Sequence, residues 1–542
     1  MSTSWAAHEK RITGNRYLIA AAVMISALTA ILDTTIVNVS VPTIQAAFGA
    51  DIDQITWVIT GFLLSSVVIV PMTGWLSNWI GLKRYYMLSQ VIFVLASMLC
   101  GIAWNLPSLV FFRILQGIGG GALIPVSLSI MLEAFPAEQT ATATAIFGLG
   151  TILGPIIGPT LGGWLTDNFS WRWIFYVNLP IVAAGLTMSY IAIGVPKGHE
   201  KTERQPIDIW GLTFVTAWLA TLQVVLQDGQ RDDWFNSGFI VALSAVSVIS
   251  MVLFVWWELR VPHPFINLRI FKDRNFLTGN LLGVAVGGVL FGSIFLLPVF
   301  CGQILHYNAL DIGLMLLPPA LATVPVFPLA ARLSERVDPR ILLAIGFIAI
   351  TYSNWLNSHL SADVSRGTLI WWQTIRSVAL PLVFVPVSVV GLQFLPPRQK
   401  PDGSALFNLT RTLAGSLVVA ALGSFIVNRE QFHMSRFGES ITQFGQAVGQ
   451  RLAQYQGFFE SRAGSDPTTA HLQALAAIHN ALVQQAAIAS FDDAFRVLAI
   501  ATFFATFAVL LARSTAASQR RMERQMGGDG AAQPRTPLPA HD

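Results

Sequence analysis

Residues 16–38 read RYLIAAAVMISALTAILDTTIVN, with one charge, Asp33, inside the apolar run that follows Arg16. A bilayer core about 30 Å thick is crossed by about 20 apolar residues in a helix, so this stretch spans it. It is too long for the core of a cleaved signal peptide and is followed by many runs like it, which makes it a retained span. Fourteen such runs are counted, at about 16–38, 55–77, 85–104, 107–132, 142–166, 173–195, 208–227, 237–258, 276–300, 309–331, 341–359, 369–395, 405–427 and 490–513. Composition agrees: 54% of the 542 residues are hydrophobic and 11% charged, too few polar groups for a water-covered surface. The chain therefore reads as an all-α, multi-pass membrane protein, and Asp33 as an acid within the membrane.

The short loops orient it. With the N-terminus in the cytoplasm, seventeen Lys and Arg fall on that side, among them Lys83, Arg84, Lys197, Arg336 and Lys400. Only Arg172, Arg231 and Arg366 fall on the other. This positive-inside bias predicts both termini in the cytoplasm, and it explains the basic pI of about 9.2 without a nucleic-acid partner. Trp57, Trp79, Trp104, Trp171, Trp234 and Trp257 lie near run ends, where an aromatic belt would sit. The polar stretch 428–489 carries apolar residues at helical spacing, as in ESITQFGQAVGQRLAQYQGFF (439–459), and predicts an extracytoplasmic helical insert. The tail 514–542, with Arg520, Arg521 and Arg524 and then Gly, Pro and Ala, reads as disordered and faces anionic lipid.

An internal repeat divides the chain. GWLSNWIGLKR (74–84) and RLSERVDPR (332–340) share Leu-Ser, and Lys83 matches Arg340 at an offset of 257 residues. The expected organisation is a cytoplasmic N-terminus (1–15), a six-helix bundle (16–195), two extra spans with their loops (196–275), a second six-helix bundle (276–513) carrying the insert, and the tail. Parallel repeats of this kind place a substrate site between the halves near the midplane.

Charges inside spans mark candidates. Arg113, in LVFFRILQGIGGG (109–121), costs about 2.5–3.5 kcal/mol at the centre of a span and needs a partner. Asp33, some 24 Å along its helix from Tyr17, is expected to face the central cavity and change its protonation as the cavity opens to either side. Glu133, Arg376, Arg411, Asp492 and Asp493 are further cavity or relay candidates. In GLGTILGPIIGPTLGGW (148–164), Gly150, Gly154, Gly158 and Gly162 clear one helix face, while Pro155 and Pro159 bend the helix. With Gly163 these predict a pivot or seal between two moving bundles. GIGGGA (117–122) imitates a dinucleotide fingerprint, but no strand surrounds it. There is no H-E-x-x-H and no P-loop, and Cys100 and Cys301 suggest neither disulfide nor metal site, so no cofactor or metal is expected. Two readings remain: a proton-coupled exporter of many compounds, or a proton-coupled transporter of one solute such as a siderophore or lipid.

GPIIGPTLGG resembles the fifth-span antiporter motif of the major facilitator superfamily, and LDTTIVNVSVP, FFRILQG and WRWIFYVNLP resemble its fourteen-span drug:proton antiporters of the EmrB/QacA type. LQDGQRDDWF, LRIFKDRNF and FNLTRTLAGS extend the likeness over nearly the whole chain. The resemblance implies the major facilitator fold and proton-driven export of hydrophobic or amphipathic compounds from the inner membrane. It also implies a periplasmic adaptor of the EmrA type and a TolC-like outer channel. It makes Asp33 and Arg113 the proton-coupling candidates. Gly74, Asn78, Gly81, Lys83 and Arg84 become the cytoplasmic gating loop. Asn78 departs from the family, which carries an acid there; Glu335, aligned with it in the second half, is a candidate for a related role.

Overall fold

The computed structural model describes residues 12–50, 52–136, 139–195, 208–262, 264, 266–392, 395, 399–440, 446–462 and 466–508. The tail 514–542, the loop with Lys197, Lys201 and Arg204, and the side chain of Glu335 lie outside that set.

The first half runs α1 (Arg16–Phe48), α2 (Ile52–Ile80), α3 (Leu82–Gly101), α4 (Leu106–Ala134), α5 (Thr140–Asn168), α6 (Trp173–Tyr176) and α7 (Asn178–Ala192). The extra pair is α8 (Ile209–Asp228) and α9 (Gly238–Arg260). The second half runs α10 (Arg274–Gln303), α11 (Ala309–Thr323), α12 (Val326–Arg336), α13 (Pro339–Leu356), α14 (Arg366–Leu392), α15 (Lys400–Ser440), α16 (Gln446–Arg462) and α17 (Pro467–Ala508). Short polar side chains start these helices by accepting the free backbone N–H groups of the first turn: Asn15 for α1, Asn105 with Ser108 for α4, Asp208 for α8, Asp273 for α10 and Asn308 for α11. Gly81, at φ 95°, makes the turn from α2 to α3 with a backbone that a side chain would strain.

Thirteen helices among the described residues are long and apolar enough to cross a membrane. The fourteenth expected span enters α17, which carries Asp492, Asp493 and Arg496 there and is described only to Ala508. Two expected single spans are each split, the sixth into α6 and α7 and the tenth into α11 and α12. The described parts of the 428–489 insert are helical but not separate. α15 runs for 41 residues and α17 for 42, about 60 Å each, so both continue beyond a 30 Å core, and α16 packs on α17.

In the first half α1 lies against α4, α5 and α7, while α4 also holds α2 and α3. In the second, α10 packs on α14, α15 and α17. The halves meet where α5 touches α11, α12 and α14, and where α2 and α4 touch α15; α8 leans on α2 and α15. One apolar core runs across both halves at the ends beside the N-terminus, joining Phe62, Phe93 and Phe147 to Phe276, Phe327 and Phe384. Toward the opposite ends it divides into a cluster of the first half around Phe175 and one of the second around Phe491. The halves thus share one apolar core on the side of the basic loops, and toward the opposite ends they meet where α5 touches α11.

Candidate functional site

Asp33 is fully buried, and four helices converge on it. Arg113 of α4 donates through Nη1 to Asp33 Oδ2 at 2.6 Å. Gln116, one turn further on, donates through Nε2 to Oδ1 at 2.8 Å, and Asn178 at the start of α7 donates through Nδ2 to the same oxygen at 2.7 Å. Ser97 of α3 accepts from both amides at 3.1 and 3.0 Å and donates to the Phe175 carbonyl. Arg113 is anchored besides by Nε to the Val58 carbonyl of α2 at 3.0 Å and by Nη1 to Gln116 Oε1 at 2.7 Å. Its guanidinium lies over the Phe62 ring, 4.3 Å from the centroid. Both charges are therefore withdrawn from solvent, paired, and hydrogen-bonded on their remaining edges, the condition under which a buried pair persists. Protonating Asp33 would take the counter-ion from Arg113, and stripping one partner from a buried pair costs about 3–5 kcal/mol. The arrangement can store a proton's arrival as pressure to rearrange.

The network lies inside the first half, so the expectation that Asp33 faces a cavity between the halves is corrected: α1 turns it inward, to where α4 and α7 supply donors and Ser97 of α3 braces their amides. Gln116, Asn178 and Ser97 were not singled out from sequence, because neutral polar residues in spans are common. The signal was there in FFRILQG and WRWIFYVNLP, which contain two of them. The 257-residue repeat carries Ser97, Cys100 and Gln116 onto Asn354, Asn357 and Gln373. Gln373 Nε2 donates to Asn357 Oδ1 at 3.2 Å, and Ser293 of α10 donates to Asn354 Oδ1 at 3.3 Å. The second half thus repeats the neutral part of the network without its ions: Ile370 stands at the place of Arg113, and α10 contains no acid.

The glycine face of α5 also differs from expectation. A Cβ at Gly150 would sit 2.7 Å from Met24, one at Gly154 2.6 Å from Ile31, one at Gly158 2.7 Å from Thr35 Cβ, and one at Gly162 3.0 Å from the Ile36 carbonyl. All four neighbours belong to α1. The stripe, with Gly163 buried beside it and Pro155 and Pro159 within the helix, is a seam inside the first half rather than a seal between halves. Another face of α5 meets the second half at two levels: Gly148 abuts Phe327 and Phe384 toward the basic loops, and Thr160 abuts Gly313 toward the opposite ends.

Around the gating loop, Gly74 packs on Asp402 of α15 and Lys83 donates to the Tyr190 carbonyl at 3.0 Å. Asn78 and Arg84 flank Gly81 on the same side. The carboxylate beside Gly74 comes from the second half. Ser129 and Ser404 join α4 to α15 at 2.5 Å. Glu133, twenty residues and about 30 Å along α4 from Arg113, belongs to this side and not to the Asp33 site. Asp492 and Asp493 are likewise elsewhere: Asp492 accepts from the Leu360 N–H at 2.8 Å, and Asp493 pairs with Arg429 and His433 of α15. Among the described residues, Arg376 has a buried Nη1 with no hydrogen bond, and the Arg411 side chain bonds only Asn408.

The sequence profile of the Major Facilitator Superfamily matches residues 23–419. The chain is 34% identical to "Multidrug export protein EmrB" of Escherichia coli K12 over 79% of its length and 83% of that protein's. It is 34% identical to "Fatty acid resistance protein FarB" of Neisseria gonorrhoeae over 86% and 90%. Among solved structures, the human organic anion transporter MFSD10 superposes with a TM-score of 0.56 at 13% identity, covering 92% of this chain and all of that one.

Proposed function

The chain belongs to the major facilitator superfamily, and from that premise we propose that it is a multi-pass drug:proton antiporter of the EmrB type, coupled at Asp33. The exported compounds are hydrophobic or amphipathic small molecules, as the names of its relatives suggest. The observation that carries the coupling assignment is the fully buried Asp33–Arg113 pair, braced by Gln116 and Asn178. In the state joined beside the basic loops, the carboxylate is charged and matched. A proton entering from the opposite side neutralises it, leaves Arg113 unmatched, and favours the rearranged state in which the proton leaves inward and substrate binds.

The positive-inside bias of the basic loops supports cytoplasmic termini, and with that orientation the side of the shared core is cytoplasmic and the α15–α16–α17 projection periplasmic. That projection is the surface on which an adaptor of the EmrA type, leading to a TolC-like channel, would dock. A cysteine at exposed Leu472 should label in whole cells with a membrane-impermeant reagent; labelling only after the cytoplasmic face is opened would reverse the topology. For function, proteoliposomes given an imposed proton gradient should extrude a fluorescent amphipathic dye against its concentration gradient. Dye movement indifferent to the proton gradient would sink the antiport reading.

A further inference from the structure

We infer that Arg411 is a specificity-determining residue of the transport path, the group that receives the carboxylate of an acidic amphipathic compound. This rests on the export reading above. Arg411 lies eleven residues into α15, about 16 Å from its start and so near the middle of a 30 Å core. It is 8% exposed. Its Nη2 donates to the neutral Asn408 Oδ1 at 2.8 Å, its guanidinium sits 5.1 Å from the Phe384 ring centroid, and its Nε has no hydrogen-bond partner. No carboxylate among the described residues pairs with it.

The contrast with Arg113 is the core of the inference. In the first half a buried guanidinium is matched by Asp33 and bonded through Nε and Nη1; in the second, Arg411, nearer the basic loops, is stacked on Phe384 but paired with no anion among the described residues. An unmatched charge at that depth is costly and persists where a ligand completes it. Its place favours a transported ligand. Phe384 also packs against α5 of the first half, where a Cβ on Gly148 would come within 3.1 Å of it, so the guanidinium is one ring away from the boundary between the halves. Gly287 of α10 leaves room for its stem. A guanidinium with a free Nε edge takes a carboxylate in paired hydrogen bonds, and Phe384 with Phe327 offers an apolar wall to the rest of the molecule.

The test is binding of two probes to the full-length protein in phosphatidylcholine nanodiscs: a dansyl-labelled undecanoic acid and the tetraphenylphosphonium cation. Arg411→Gln should lower the ratio of carboxylate to cation affinity by about ten- to a hundredfold, the loss expected for a charged hydrogen bond. Arg411→Lys, which keeps the charge, should hold that ratio within a few-fold of the parent. Carboxylate affinity unchanged in Arg411→Gln would overturn the assignment. So would an equal loss of both probes in both variants, the mark of a structural role. A parent protein that binds the cation and not the carboxylate would overturn it while leaving export intact; binding of neither would remove the export reading as well.

Discussion

Asp33 Oδ1 accepts from two neutral amides, Gln116 and Asn178, and Oδ2 from Arg113, so its charge is shared between an ion and two dipoles. The amides should tune coupling as much as the arginine does. Replacing Asn178 with Leu removes one donor to Oδ1, and because a carboxylate accepts a hydrogen bond more strongly than the neutral acid, the protonated form gains. Efflux should fall by about tenfold, and the remaining activity should move to higher pH, where the proton again leaves. A pH profile of dye efflux in everted vesicles checks this; an unshifted profile at normal expression would make Asn178 a packing residue. Asp33 and Arg113 were legible in sequence because a charge in an apolar run has no cheap explanation. Their amide partners were not, since one amide in a span is usual, and only folding shows that two of them point at one carboxylate.

At the scale of helices, the α1–α5 seam is set by size. Gly158 faces Thr35 so closely that a Cβ already overlaps it, and Gly158→Leu should force α1 and α5 apart, destabilising the protein by about 1–3 kcal/mol and abolishing efflux. Thr35→Gly in the same protein should recover part of that loss, which dye efflux at matched expression would measure. No recovery would mean that the glycine serves some purpose other than clearance. The fourfold glycine spacing was visible in sequence, but periodicity names a face and not the partner, and the partner proved to be α1. The α10–α15 seam reverses the device: α10 supplies Gly283 and Gly287, and α15 the bulky Phe407 and Arg411. Span count was also legible, from apolar length alone. The breaks between α6 and α7 and between α11 and α12 were not, since each sits within an apolar run of spanning length, where Asn178 and Pro325 are the only local marks. Nor was the continuity of α15 and α17 beyond the membrane, because backbone hydrogen bonds carry a helix through a change of solvent that polarity marks as an end.

For the whole molecule, the shared core on the side of the basic loops defines one state of a cycle. Ser129 and Ser404 join the halves there, and replacing both with cysteine should allow oxidation to a disulfide that holds this side shut. Transport should stop on oxidation and return with reductant, while buried Cys100 and Cys301 stay out of reach. Full transport by a protein shown to be crosslinked would mean the halves need not part at this point. In this cycle Asp33 is the group that takes the proton the substrate displaces. Proton release should be followed with a pH dye as a transported compound is added to the purified protein in weakly buffered detergent. The parent is predicted to release protons in a saturable, pH-dependent way, and Asp33→Asn to bind the compound while releasing none. Undiminished release from a folded Asp33→Asn protein would contradict the account.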